Sequence, residues 1–124
     1  MRRPPLDVDA GAGADAGSVT AEFAAVIPAV LLVLAFCLGA VSVACQQVRL
    51  TDAAADSARS IARGDGESAA RSRVSESVGS ASVAQQSSGD YICVRVTQPA
   101  AVGPAGLLGM TVSGRGCALG EAQQ

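Results

Sequence analysis

The chain lacks several residue types, and each absence narrows what it does. It has no histidine in 124 residues, so the commonest general base and metal ligand is missing. Its four cysteines form no Cys-x-x-Cys spacing, so no metal site is predicted. We find no acid pair and no activated nucleophile in the sequence. We therefore expect no catalytic residues, no cofactor and no enzyme activity.

Lysine is also absent, so every basic residue is an arginine. Asparagine does not occur either. Nine arginines against 11 acidic residues give a formal net charge of −2, and the arginines are scattered along the chain. This distribution offers no basic surface for nucleic acid. Few large apolar side chains follow residue 45. A domain so poor in core residues usually needs a covalent cross-link, a metal or a partner to be stable.

One long apolar run stands out, the uncharged segment 23–45. As a helix it would span about 35 Å, against about 30 Å for the hydrocarbon core of a bilayer. It is apolar on every face, which excludes an amphipathic core helix. We predict a retained transmembrane helix. The alternative is a secretory signal removed before Cys45, although such signals have apolar regions of only about 7 to 15 residues. A lipoprotein cut before Cys45 is disfavoured, because Ser42 stands where leucine is preferred.

The rest of the chain divides by composition into three parts. Residues 1–17 are small, polar and interrupted by glycine and proline, so they are predicted to form a flexible leader. Residues 46–88 keep a helical spacing of small apolar side chains and are predicted to form a stalk with a break at 64–66. Residues 89–124 contain two alternating segments that favour a β-hairpin. The predicted fold is mainly α with a small β part: a long N-terminal helix, transmembrane over 18–45 and continuing as the stalk, followed by the hairpin.

The alternation places Cys93 and Cys117 on the polar faces of their strands, so an antiparallel pairing would allow a disulfide between them. Two free thiols remain the alternative. The simplest register, with the cysteines opposite each other, also sets Arg95 opposite Arg115, which is an unfavourable like-charge pair. A bulge at one of the glycines of the second strand, 114 or 116, would relieve that repulsion.

A single carboxylate, that of Glu22, stands at the start of the apolar run, five residues after Gly17. An acid at the centre of a membrane helix costs on the order of 3 kcal/mol, so acids within or beside such helices tend to have a partner and a function. The segment Gly17-Ser-Val-Thr-Ala-Glu-Phe23 and the apolar run behind it resemble the N-terminus of TadE-like minor pilins of the Tad/Flp type IV pilus system, in particular the actinobacterial type. The segments 49–59 and 111–115 are also similar to that group.

This resemblance implies that a prepilin peptidase cuts between Gly17 and Ser18. It also implies that Glu22 is the assembly charge, which pairs with the new amino group on Ser18 of a neighbouring subunit. The implied partners are the peptidase, other pilins and minor pilins, the pilus assembly platform and the membrane. The protein is then expected in the cytoplasmic membrane as a single-pass protein with its C-terminal part outside, and after processing in a surface pilus used for adhesion or secretion. A secreted or single-pass membrane-anchored binding module with no filament role is the alternative.

Overall fold

The computed structural model of the protein describes residue 2 and residues 14–120, with the side chains from Gly17 onward. The long N-terminal helix and the small β part are confirmed, whereas the leader predicted at 1–17 lies largely outside the described residues. The elements in chain order are α1 (Ala14–Ala62), α2 (Glu67–Val78), β1 (Ser82–Ser88), β2 (Tyr91–Pro99), α3 (Pro104–Leu107) and β3 (Thr111–Leu119).

The chain divides into two compact units at residue 35, and α1 contributes to both. In the first unit every described side chain, from Gly17 to Ala35, is exposed. Among the described residues, α1 is the one helix long and apolar enough to cross a membrane. The described side chains of the first unit are therefore those of an exposed helix, apolar from Phe23 onward.

In the second unit, α1 packs on the sheet through a stripe of small side chains. Leu50, Ala54 and Ala58 are fully buried at the i, i+4 spacing that places them on one face of the helix. They form a core with Val94 and Val96 of β2 and with side chains from the other elements, namely Val74, Ala100 and Val112. Because one leucine is the largest of these side chains, the core holds little apolar volume.

The helices α1 and α2 are joined by a short turn in which Gly64 and Gly66 both have positive φ. Asp65 fixes this turn, because its Oδ2 accepts a hydrogen bond from Ser60 Oγ at 3.0 Å. The same oxygen lies 3.7 Å from guanidinium nitrogens of Arg63 and Arg73. The buried Ser60 hydroxyl thus has a partner, as a buried polar group requires.

The sheet has three antiparallel strands in the order β1-β2-β3, where the sequence predicted a two-stranded hairpin. The end of the predicted stalk, residues 82–88, forms β1 instead of continuing a helix. Gly79, with a φ of 78°, ends α2 and turns the chain back. The strand Ser82–Ser88 is mostly exposed, so its place depends on backbone pairing with β2 more than on apolar side chains.

The strands β2 and β3 adopt the simplest register, with Cys93 opposite Cys117 and Arg95 opposite Arg115. The predicted disulfide between Cys93 and Cys117 is present, so the alternative of two free thiols is excluded. The bulge that would have separated the two arginines is not formed, because the one-to-one pairing runs unbroken from Tyr91 to Pro99. Both arginines are exposed on the face of the sheet away from α1, where water screens their repulsion.

The two glycines of β3, Gly114 and Gly116, form no bulge and instead allow close packing against α1. A Cβ on Gly114 would overlap the backbone of Leu50 and Thr51 and would lie 2.7 Å from the Leu50 carbonyl oxygen. A Cβ on Gly116 would overlap the backbone of Ala55 in the same way. The absence of side chains at these two positions therefore lets β3 lie directly against the main chain of α1.

We predict that Gly114→Ala destabilises the second unit by about 3 kcal/mol or more, because the added methyl meets helix backbone that cannot move aside as a side chain would. Urea unfolding of the protein in detergent, followed by circular dichroism, measures this loss. Ser113→Ala is the matched control, since Ser113 is the preceding residue of the same strand and is exposed. Equal stability of the two variants would contradict the close contact between β3 and α1.

We predict that the disulfide contributes about 3 kcal/mol to the stability of the second unit, since it joins residues separated by 24 positions. The double variant Cys93→Ala, Cys117→Ala should lose this stability, measured by the same unfolding experiment. In the native protein these two cysteines should resist alkylation until reductant is added, whereas Cys37 and Cys45 are free and exposed. Alkylation of Cys93 without reductant would contradict the pairing.

Candidate functional site at the head of the apolar helix

The three residues predicted for processing and assembly lie together at the start of α1. Gly17, Ser18 and Glu22 are all helical and all exposed. The helix begins at Ala14, so the bond between Gly17 and Ser18 lies in its first turn, whereas the sequence predicted a flexible leader up to Gly17. The first four N–H groups of a helix have no partner within it, and helix ends fray readily. The bond is thus placed where local opening costs least.

No packing among the described residues requires a glycine at position 17. No heavy atom lies within 4 Å of the position that a Cβ would take there, apart from the neighbouring backbone of its own helix. Glycine is about 1 kcal/mol less favourable than alanine inside a helix. The described structure therefore gives no internal reason for a glycine at this position.

Glu22 is exposed and forms no ion pair with any residue that the structure describes. It follows Ser18 by four residues, so the two lie on the same face of α1. The next residue, Phe23, is also exposed and begins the apolar run. A carboxylate without a counter-charge thus stands at the edge of a surface that is apolar on all sides.

The disulfide belongs to the second unit, and no group of three or more potential metal ligands occurs among the described residues.

The sequence analysis missed two features of this unit, the β3 glycines and Gln46. Gln46 Nε2 donates to Gln98 Oε1 at 3.0 Å and to the Pro99 carbonyl at 2.8 Å. Its Oε1 accepts from the Ala101 N–H at 3.1 Å. The signal for this role was its place as the first strongly polar side chain after the apolar run.

The helix α1 thus has an uncovered apolar segment that begins beside an acid, and its second half packs in a small α/β unit. Residues 17–59 match the model of a protein family described as TadE-like protein. The match begins at Gly17 and includes Glu22, the apolar run and the buried stripe of α1. Over this segment the chain is TadE-like, which confirms the resemblance for these residues.

No curated protein and no solved structure matches the chain. The actinobacterial type and the likeness at 111–115 lie beyond what the family match covers, so both stay predictions.

Proposed function

We propose that this protein is a minor pilin that a prepilin peptidase cuts between Gly17 and Ser18, and that it then enters or primes a Tad-type pilus or secretion apparatus. One observation carries the proposal: the side chains of α1 from Gly17 to Ala35 are all exposed. So large an apolar surface is stable only when lipid or other apolar helices cover it. A membrane covers it before assembly, and the helices of neighbouring subunits cover it afterwards.

Glu22 makes the transfer of the helix from lipid to the filament selective for subunits that have been cut. Cutting after Gly17 creates an ammonium group on Ser18 at the start of the shortened helix. As helices leave the bilayer for a bundle, the Glu22 carboxylate of one subunit pairs with this ammonium group on a neighbour, and each charge offsets the desolvation of the other. An uncut chain lacks the ammonium group and cannot form the pair. Glu22, with no ion pair among the described residues, is available for this contact.

The role is structural and not enzymatic, with the second unit outside the membrane as a surface for adhesion or for contact with other minor pilins. Gly17 supports the assignment of the cut, because no packing among the residues that the structure describes explains a glycine there. A peptidase cleft that accepts no side chain before the scissile bond gives that explanation. The N-terminal residue of the mature protein distinguishes the readings: Ser18 for the pilin, Cys45 for a secreted module, and Met1 for a simple anchor.

We predict that Gly17→Val blocks maturation, because the added side chain obstructs the peptidase site. The variant should accumulate in the membrane as full-length precursor, detected by gel mobility and N-terminal sequencing. Ala24→Val is the matched control, since it adds similar bulk at another exposed position of α1 and should mature normally. Normal maturation of the Gly17 variant would exclude the proposed cut.

We predict that Glu22→Ala separates cutting from assembly. Removal of the acid should leave membrane insertion intact, since carboxylates are costly near the hydrocarbon core. Recovery in sheared surface pili should fall tenfold or more, because the Ser18 ammonium group of a neighbour loses its partner. Asp52→Ala, which removes another exposed acid of α1, is the control and should be recovered at the wild-type level. Equal recovery of both variants would remove Glu22 from the assembly mechanism.

A further inference from the structure

The connection between β2 and β3 exposes an apolar surface that the proposed function does not explain. The twelve residues 99–110 contain no charged side chain. Leu107 and Leu108, at 92% and 77% exposure, are the most exposed large apolar residues described, and Val102 and Met110 are also exposed. We call residues 102–110 the apolar loop. It includes the short helix α3.

The apolar loop packs on α1 within the predicted membrane segment. A Cβ on the buried Gly39 would lie 3.2 Å from Pro104 Cδ, and a Cβ on Gly103 would lie 3.1 Å from Gly39 Cα. Gly39 precedes Cys45, the end of the apolar run, by six residues, which is about 9 Å along a helix. It precedes Arg49, the next charged residue, by about 15 Å. The apolar loop therefore extends back along α1 to a level where the helix itself is expected to lie in lipid.

Most N–H groups of this connection already have hydrogen-bond partners. The N–H groups of all five residues from Gly106 to Met110 donate to carbonyls within the loop, at 3.0 to 3.3 Å. Ala100 N–H donates to the Met110 carbonyl at 2.9 Å, and Ala101 N–H donates to Gln46. Irregular backbone is excluded from the hydrocarbon region mainly because its polar groups lack partners. In this connection most N–H groups have partners, so the cost of placing its backbone in lipid is reduced. It also has no charged side chain to desolvate.

We propose that the apolar loop enters the lipid surface on the side of the membrane that carries the sheet, as a second membrane contact beside α1. The inference rests on the proposed function, in which α1 spans the bilayer. The position of the loop against Gly39, its lack of charge and the hydrogen bonds of most of its N–H groups favour lipid over a second copy of the chain as the first occupant. When the subunit leaves the bilayer, this surface must move from lipid to a neighbouring subunit together with α1.

A tryptophan scan tests the proposal, because the native chain contains no tryptophan. The full-length protein is inserted into phosphatidylcholine–phosphatidylglycerol vesicles with or without brominated acyl chains, which quench tryptophan on contact. Leu107→Trp changes a side chain that contacts almost nothing in the protein. Val33→Trp, in the apolar run, reports the membrane span, and Ser88→Trp, exposed at the end of β1, reports water. We expect brominated lipid to quench Leu107→Trp at least twofold, as it does Val33→Trp, and to leave Ser88→Trp unchanged.

Two results would overturn the proposal. If Val33→Trp is quenched while Leu107→Trp behaves as Ser88→Trp does, the loop lies outside the lipid, the membrane span stands, and another subunit becomes the candidate occupant. If neither Val33→Trp nor Leu107→Trp is quenched, both the membrane span and the loop contact are excluded. Leu108→Trp repeats the measurement at a neighbouring exposed position. A circular dichroism spectrum and a urea unfolding midpoint equal to those of the wild type show that each variant is folded.

Discussion

The second unit depends on the contact between the backbone of β3 and the backbone of α1. Apolar burial in this unit is modest, because its core consists of alanines and valines around one leucine. Small side chains compensate by letting main chains approach closely, so that dispersion contacts replace apolar volume. Gly114 and Gly116 on the strand face the helix residues Leu50 to Ala55 without any side chain between. The same contact sets which face of the sheet is turned outward.

This arrangement has an unfavourable consequence on the outward face of the sheet, where two arginines lie opposite each other. Once the glycines are turned to α1, strand alternation places Cys93 and Cys117 as well as Arg95 and Arg115 on the opposite face. A cross-strand like-charge pair costs between about 0.2 and 1 kcal/mol. The disulfide offsets this with about 3 kcal/mol and fixes the register that brings the arginines together. The larger effect prevails, and for this reason no bulge is needed to separate the charges.

The sequence predicted the parts of the fold that follow from strong local patterns. The uncharged run at 23–45, the buried stripe through Leu50 and Ala54, and the alternation around Cys93 each carry a periodicity or a composition that few other structures satisfy. The strand β1 was missed because Ser82–Ser88 has no apolar alternation, and its pairing depends on β2, which comes later in the chain. The return of the apolar loop to Gly39 was missed for the same reason. Contacts between distant residues with small side chains leave almost no signal in the local sequence.

The residues of the candidate site were also found from local sequence, but contacts within the described chain do not explain them. Glu22 was found because an acid beside an apolar run is costly, and Gly17 because its spacing from Glu22 resembles that of TadE-like proteins. Within the part of the chain that the structure describes, no packing requires Gly17 and no ion pair offsets the cost of Glu22. Residues that lower the stability of a chain without an internal reason point to a requirement set by another molecule. In the proposed function the first half of α1 meets such a requirement, since lipid or neighbouring helices cover it, whereas its second half is buried against the sheet of the same chain.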